Sequence, residues 1–294
     1  WSLNPEYQAC HCPRCIAAGN EGKPHIWDGD VDPLVVALEC IAQGTSVALS
    51  SGTGTGKTFA LGACGTLWFL ATHDRSIALS IAPQAAQLLL NQWKEIGNLF
   101  MRFKRHFPSA NLLTGKLRVL ENEGEQEVWA ATAFAGGVGA NEDIAQRLAG
   151  FHQPCMLWSL EDAPGIDIAR LNTVINTAVG SFNPICCYGN PDHKQDALGV
   201  FGAKSWVTAI RASAFDHPNI VTGRDIVPGG VSPRSLVQRL ADADGNPDDP
   251  IFLSRVRGIA PSQSKRALIR WEWLEAAAQR WGDKELRKGP LALG

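Results

Sequence analysis

The sequence predicts an α/β fold: a mainly parallel sheet flanked by helices, with a small C-terminal lid subdomain. Three observations predict it. Short apolar runs recur at Val47 to Leu49, Ile77 to Ala82, Cys155 to Leu160 and Pro184 to Tyr188, each of strand length and bounded by turn residues. Stretches with helical apolar spacing lie between them, and strands that alternate with helices run parallel, with both sheet faces covered. The first run also leads straight into a glycine-rich turn and then a helix, in Val47-Ala-Leu-Ser-Ser-Gly-Thr-Gly-Thr-Gly-Lys-Thr58.

Strand, glycine turn and helix in that order are the context of a phosphate-binding loop, which makes the fold class a P-loop NTPase. The nucleotide-binding residues are Ser51, Gly52, Thr53, Gly54, Thr55, Gly56, Lys57 and Thr58. Glycines let several N–H groups face one anion, and the following helix adds the positive end of its dipole. Lys57 is placed for the β- and γ-phosphates of ATP and Thr58 for Mg²⁺. The common pattern G-x-x-x-x-G-K-[ST] has glycine where this chain has Ser51.

In order along the chain, residues 1–30 are rich in Cys, Pro, Gly and His and lack periodicity, and are expected to form an irregular extension. The ATPase core spans 31–218. It opens with a helix over Asp32 to Gln43, where Pro33 suits the first turn, and the helix after the phosphate loop covers Phe59 to Ala71. A long amphipathic helix follows the second strand from about Gln84 to His106, its apolar face carrying Leu88, Leu89, Trp93, Ile96, Leu99, Phe100 and Phe103. Leu117 to Leu120 and Val128 to Ala133 are expected to form a hairpin, followed by a flexible loop at Phe134 to Gly139 and a short helix over Ala140 to Ala149. Ile168 to Ala178 should be helical and Ser205 to Ala212 a fifth parallel strand. Residues 219–288 form the lid or linker, with helices near Pro233–Ala241, Pro250–Arg255 and Arg270–Trp281. Residues 289–294 are expected to open a further domain.

The chain has 294 residues, a net charge of −2 and 45% apolar content. That is ample for a buried core and argues against a surface coated in basic residues. Two local basic clusters stand out, Arg102, Lys104, Arg105 and His106, and a looser set of Arg255, Arg257, Lys265, Arg266 and Arg270; both read most simply as solvated surface charge. No apolar run reaches the ~18–20 residues of a membrane span, and no signal peptide is visible. The chain starts at Trp1 rather than Met, so its natural start is expected further upstream. Of eight cysteines, Cys10, Cys12 and Cys15 crowd together with His11 and His25 nearby. Cys12-x-x-Cys15 is half a zinc spacing, which Cys10 plus either His11 or His25 would complete to hold Zn²⁺; unpaired thiols are the other reading. Cys40, Cys64, Cys155, Cys186 and Cys187 read as small core residues.

Hydrolysis requires a carboxylate for Mg²⁺ and another that orients water, at the end of a buried strand near the phosphate loop. Glu161 and Asp162 end the third apolar run. By register Glu161 takes the metal side and Asp162 the water side, the reverse of the usual Asp-then-Glu order. Arg147, just upstream, is either a trans-acting arginine for the γ-phosphate of a neighbouring subunit or a surface residue. Asn190, ending the fourth run, is either a γ-phosphate sensor coupled to the lid or a turn residue before Pro191.

Together these segments resemble the large terminase subunit of tailed bacteriophages. The stretches that carry the resemblance are Ser51–Thr58, Ala82-Pro83-Gln84 with its helix, Arg147-Leu-Ala-Gly-Phe-His152, Leu160-Glu-Asp-Ala163, Tyr188-Gly-Asn-Pro191, Gly199-Val-Phe201, Phe215-Asp-His-Pro-Asn219, Val221-Thr-Gly223 and Arg255-Val-Arg-Gly258. The resemblance implies an ATP-driven motor that packages double-stranded DNA, with Lys57 and Thr58 on phosphate and Mg²⁺. It also implies Glu161 and Asp162 as the metal and catalytic carboxylates, Arg147 as the trans-acting arginine and Asn190 in the coupling segment. Its implied partners are the portal protein, the small terminase subunit and further copies of the chain in a ring, in the bacterial cytoplasm at the procapsid. The chain would then be the ATPase portion of a longer protein, without the nuclease activity of the family's C-terminal domain. The adenine-contacting glutamine of the family has no counterpart; Asp32-Pro33 stands near its place, and Trp27 is a candidate to stack on adenine. Two other readings share the phosphate loop: a helicase-like nucleic-acid-dependent ATPase, and an ATP-binding module with little hydrolysis, which the exchanged carboxylate order favours. A small-molecule kinase is weaker, for want of an acceptor-binding motif.

Overall fold

The computed structural model describes residues 1, 4–120, 127–135, 151, 153–262 and 271–282. Arg147 with its expected helix, most of the Phe134 to Gly139 loop, Lys265, Arg266, Arg270 and the segment 289–294 lie outside the described residues. So does most of the hairpin turn.

An eight-stranded sheet has the order β3-β4-β5-β2-β6-β7-β1-β8. The strands are β1 (Ser46–Ser51), β2 (Ile77–Ala82), β3 (Asn111–Leu113), β4 (Lys116–Leu120), β5 (Glu127–Ala135), β6 (Met156–Glu161), β7 (Ile185–Gly189) and β8 (Val207–Ala212). The six strands from β5 to β8 across the sheet pair in parallel, and β3 and β4 add an antiparallel edge. The parallel strands, the helices between them and the β4–β5 hairpin agree with the sequence expectation. Strand β3 was not legible, because three residues at a sheet edge carry no periodic signal.

Period-two alternation explains why these runs are apolar throughout. On one face Val47, Leu49, Ala78, Leu157, Cys186 and Tyr188 pack under the helix Pro33–Ala42, the helix after the phosphate loop, and Trp93, Ile96 and Phe103 of the helix Trp93–His106. On the other face Ala48, Leu79, Ile81, Met156, Trp158, Leu160, Ile185 and Cys187 meet Leu171 and Val174 of the helix Ile168–Thr177 and Phe201. Cys186 and Cys187 are core residues as expected, whereas Cys40, Cys64 and Cys155 are only half-buried.

Two of the three helices on the first face carry a π-helical stretch, Thr58–Cys64 running into Gly65–Thr72 and Leu88–Gln92 running into Trp93–His106. Buried Gln92 ties them together, donating to the Gly62 carbonyl at 3.0 Å and to Ser80 Oγ at 2.7 Å.

A third apolar cluster joins the N-terminal segment to residues between 214 and 256. Tyr7, Cys10, Cys12 and Cys15 pack with Ala214, Ile220, Val221, Val231, Leu236, Phe252 and Val256. The N-terminal segment contains two short helical pieces, Pro5–Gln8 and Pro13–Ala17.

Candidate functional site

Because β1, β6, β7 and β8 are parallel, their C-terminal ends share one edge, and the phosphate loop, Glu161, Asp162 and Asn190 lie there. Strand β7 separates β1 from β6, with Tyr188 in register with Leu49 on one side and Glu161 on the other. Ser51 closes β1 in extended conformation, so the missing glycine costs nothing at that position. Gly54 and Gly56 have φ of +75° and +87°, which L side chains rarely adopt. A Cβ on Gly52 would lie 2.5 Å from the Val256 carbonyl oxygen. The backbone amides of Gly54, Thr55 and Gly56 donate to no protein group among the described residues, which leaves them for an anion.

Lys57 is buried at 8% exposure and its Nζ donates to Asn190 Oδ1 at 3.4 Å. Burial pulls its pKa down, Asp162 and Glu161 oppose that, and Arg255 adds to it. Thr58 Oγ1 donates to Glu161 Oε1 at 2.5 Å. Glu161 is 1% exposed, and its second oxygen, Oε2, has no partner among the described residues. Burial raises its carboxyl to about 7, the Thr58 bond and Lys57 restrain the rise, and Asp162 adds to it. A hydroxyl beside an orphaned carboxylate oxygen is a hard oxygen set that fits Mg²⁺.

Asp162 takes a left-handed backbone, φ 47° and ψ 43°, just past the end of β6, and its side chain is half-buried. Its Oδ2 accepts from Gln87 Nε2 at 3.4 Å. Asn190 is buried between three partners: its Nδ2 donates to the Ser51 carbonyl at 2.6 Å, and its Oδ1 accepts from Lys57 and from Arg255 Nη1, both at 3.4 Å. Arg255 also pairs with Asp192 at 3.7 Å, and its carbonyl accepts from the Thr53 amide at 2.8 Å.

A cleft of about 660 Å³ opens over the loop, lined by Gly54, Lys57, Thr58, Lys94, His217 and Gly229 among others, which is within the range of small-ligand sites. His217 is held neutral, burial lowering its pKa to about 4 against the pull of Asp225.

The structure thus brings together the phosphate loop, Glu161, Asp162 and Asn190. Trp27 does not line the cleft; its ring stacks on Tyr7 at 5.4 Å. Of the two histidines near the cysteines, His25 joins them, its Nδ1 lying 3.2 Å from Cys10 Sγ, while exposed His11 pairs with Glu21. Cys10, Cys12, Cys15 and His25 form a buried set compatible with Zn²⁺. Arg255 and Arg257 are not merely solvated charge: the first reaches Asn190 and the second makes a two-pronged ion pair with Asp28. Arg255, Gln87 and His217 were missed as site residues, since no local spacing links them to the loop.

No protein-family model and no curated protein sequence matches this chain. Solved structures do resemble it. The large terminase from the thermophilic bacteriophage D6E superposes with a TM-score of 0.57 at 9% identity, covering 78% of this chain and 53% of that one. The large terminase ATPase domain of Thermus phage P74-26 gives 0.51 at 15% identity, covering 80% of this chain and 93% of that one. The HK97 bacteriophage large terminase gives 0.52 at 15% identity, covering 80% and 51%. The D6E protein has also been solved in complex with ADP and with ATP-gamma-S. The chain spans about half the length of the D6E and HK97 proteins and nearly all of the isolated P74-26 domain. At these identities the likeness establishes architecture: this chain has the fold of the ATPase domains of bacteriophage large terminases.

Proposed function

We propose that this chain hydrolyses ATP as the motor part of a large terminase, translocating double-stranded DNA into a viral procapsid. One observation carries the reading: the Thr58 hydroxyl and the buried Glu161 carboxylate meet at 2.5 Å beside the phosphate loop. A buried carboxylate with an unpartnered oxygen is costly unless a cation offsets it, which supports a metal-nucleotide site there.

Thr58 and Glu161 are the residues that would hold Mg²⁺. The ion would offset charge on the β- and γ-phosphate oxygens. The loop amides and Lys57 bind and orient the triphosphate. Asp162 accepts a hydrogen bond from the attacking water, with Gln87 fixing its carboxylate. Asn190 holds Lys57, Arg255 and the Ser51 carbonyl at once, so loss of the γ-phosphate shifts Lys57 and is felt by the Leu253–Arg257 segment through Asn190. Residues 219–288 act as the lid that this movement drives. Arg147 of a neighbouring copy completes the site in a homo-oligomeric ring. The ring works with the portal protein and the small terminase subunit in the bacterial cytoplasm, docked on the procapsid. No described helix is long and apolar enough to cross a membrane.

A second reading, an ATP-binding module with little turnover, is favoured by Asp162 alone. It is shorter than the usual glutamate and its carboxylate is shared with Gln87. Steady-state ATP hydrolysis with and without duplex DNA, at low and high salt, tests the motor reading. Stimulation by duplex DNA that fades with salt is expected, because phosphate contacts dominate such binding. Tight ATP binding without turnover, restored by Asp162→Glu, would support the binding module instead.

A further inference from the structure

The cysteine-rich N-terminal segment has no part in the ATP chemistry above, yet Cys10, Cys12, Cys15 and His25 are all buried. We infer that Cys10, Cys12, Cys15 and His25 hold one structural Zn²⁺ that staples residues 7–28 to the wall of the nucleotide cleft.

The geometry carries the first half. The three cysteines are fully buried and the His25 side chain is 1% exposed. The four ligand atoms all lie within 4.8 Å of one another. The three sulfurs stand 3.2, 3.7 and 3.7 Å from His25 Nδ1. Zn–S bonds of about 2.3 Å and a Zn–N bond of about 2.0–2.1 Å set a tetrahedral S···N edge of about 3.6 Å, which these distances bracket. One centre accounts for all four ligands, whereas a binuclear cluster would spread them over two.

The surroundings are those of thiolates rather than thiols. Cys10 Sγ accepts from the Cys12 amide at 3.3 Å, Cys12 Sγ from the Cys15 amide at 3.4 Å, and Cys15 Sγ from the Ile26 amide at 3.3 Å. A neutral thiol is a weak acceptor and gives a buried amide little in return, while a metal-bound thiolate satisfies it. His25 Nε2 donates to Asp216 Oδ1 at 2.8 Å, the outer-shell carboxylate that fixes which ring nitrogen faces a metal. Asp216 is itself fully buried and also accepts from the Asp28 amide at 2.9 Å.

The second half follows from where Asp216 and Asp28 lead. Asp216 precedes His217, which lines the cleft. The Asp216 carbonyl accepts from the Tyr7 hydroxyl at 2.5 Å. Asp28 binds Arg257 at 2.8 and 3.1 Å and Arg14 at 3.3 Å. Arg257 lies two residues beyond Arg255, which contacts both Thr53 and Asn190. Two struts thus run from the metal-binding loop to the phosphate loop and its cleft, and the loop between Cys10 and His25 has few apolar groups of its own to keep them in place.

The test begins with the metal content of purified protein. About one zinc per chain is expected, and Co²⁺ replacing it should give the visible bands of a tetrahedral thiolate site. Cys12→Ser and His25→Ala should lose the ion, while His11→Ala should keep it. Should those variants fail to fold, Asp216→Asn retains all four ligands and should weaken metal retention against a competing chelator by about 10–100-fold. Removing zinc from wild-type protein with a zinc-selective chelator should weaken binding of a fluorescent ATP analogue, and adding zinc back should restore it. Metal-free protein with intact thiols, a disulfide among the cysteines, iron in place of zinc, or full zinc retention in Cys12→Ser would overturn the metal assignment. ATP-analogue affinity indifferent to zinc removal would overturn the staple. Zinc content does not depend on the ATPase reading, so a zinc-bound chain that ignores ATP would refute the motor and leave the metal site standing.

Discussion

Replacing Glu161 with glutamine should stabilise the metal-free, nucleotide-free protein while silencing it. Glu161 sits 1% exposed with its carboxyl raised from 4.5 to about 7. Between those values the folded state keeps a proton that the unfolded state has released. Stability is therefore highest below about 4.5 and falls as pH rises towards 7. The full shift corresponds to about 3 kcal/mol at 1.36 kcal/mol per pH unit. Glutamine keeps the volume and the bond from Thr58, but puts an NH₂ where Oε2 now lacks a partner, at a cost of about 1 kcal/mol. The net gain at pH 8 is about 2 kcal/mol, a melting increase of roughly 4–8 °C, with no gain at pH 4. ATP turnover should drop by roughly 10²-fold or more as the metal-side charge is lost. Thermal unfolding of both proteins at pH 4 and pH 8, in the absence of Mg²⁺ and ATP, reads the first part. A variant that melts below wild type at pH 8, or one that keeps the wild-type pH dependence, would refute the reasoning that burial of this charge is a cost carried for function.

Three further outcomes follow from the same geometry. Asn190→Ala strands the Ser51 carbonyl that now accepts at 2.6 Å, so it should cost about 1–3 kcal/mol in thermal unfolding; an unchanged melting temperature would contradict this. Arg255→Ala removes a partly exposed guanidinium beside Asn190 and Lys57; ATP turnover should fall by roughly 10²-fold with ADP affinity nearly unchanged, and equal losses in both would mean that Arg255 only holds the loop. His217 should titrate by NMR near 4, because burial favours its neutral form; its share of stability is then present above about 6.5 and lost as pH falls towards 4, and a midpoint near 6.5 would show that the residue is solvated.

The parts of the site that were legible in the sequence are those where a local signal and a long-range role coincide. The glycines of the phosphate loop announce their backbone, and apolar runs announce strands whose parallel pairing brings Glu161 and Asn190 to one edge. Ser51 departs from the common pattern in sequence, and its extended backbone shows why no glycine is needed there. Arg255 lies in one of the stretches that carry the resemblance, but its part in the site stayed hidden because that depends on Asn190, 65 residues away. Gln92 was read as part of an amphipathic helix, whereas its amide bridges two π-helical stretches. The cysteine spacing suggested a metal but could not choose between His11 and His25, since the choice rests on Asp216 nearly two hundred residues later.

The central claim is that the Lys57, Thr58 and Glu161 constellation hydrolyses Mg²⁺-bound ATP. Steady-state hydrolysis by wild type, Lys57→Ala and Glu161→Gln, with Mg²⁺ and then with chelated Mg²⁺, tests it most directly. Mg²⁺-dependent turnover by wild type, lost in both variants while each stays folded, is the predicted result. Turnover at wild-type rates in Lys57→Ala, or turnover that survives removal of Mg²⁺, would contradict the account.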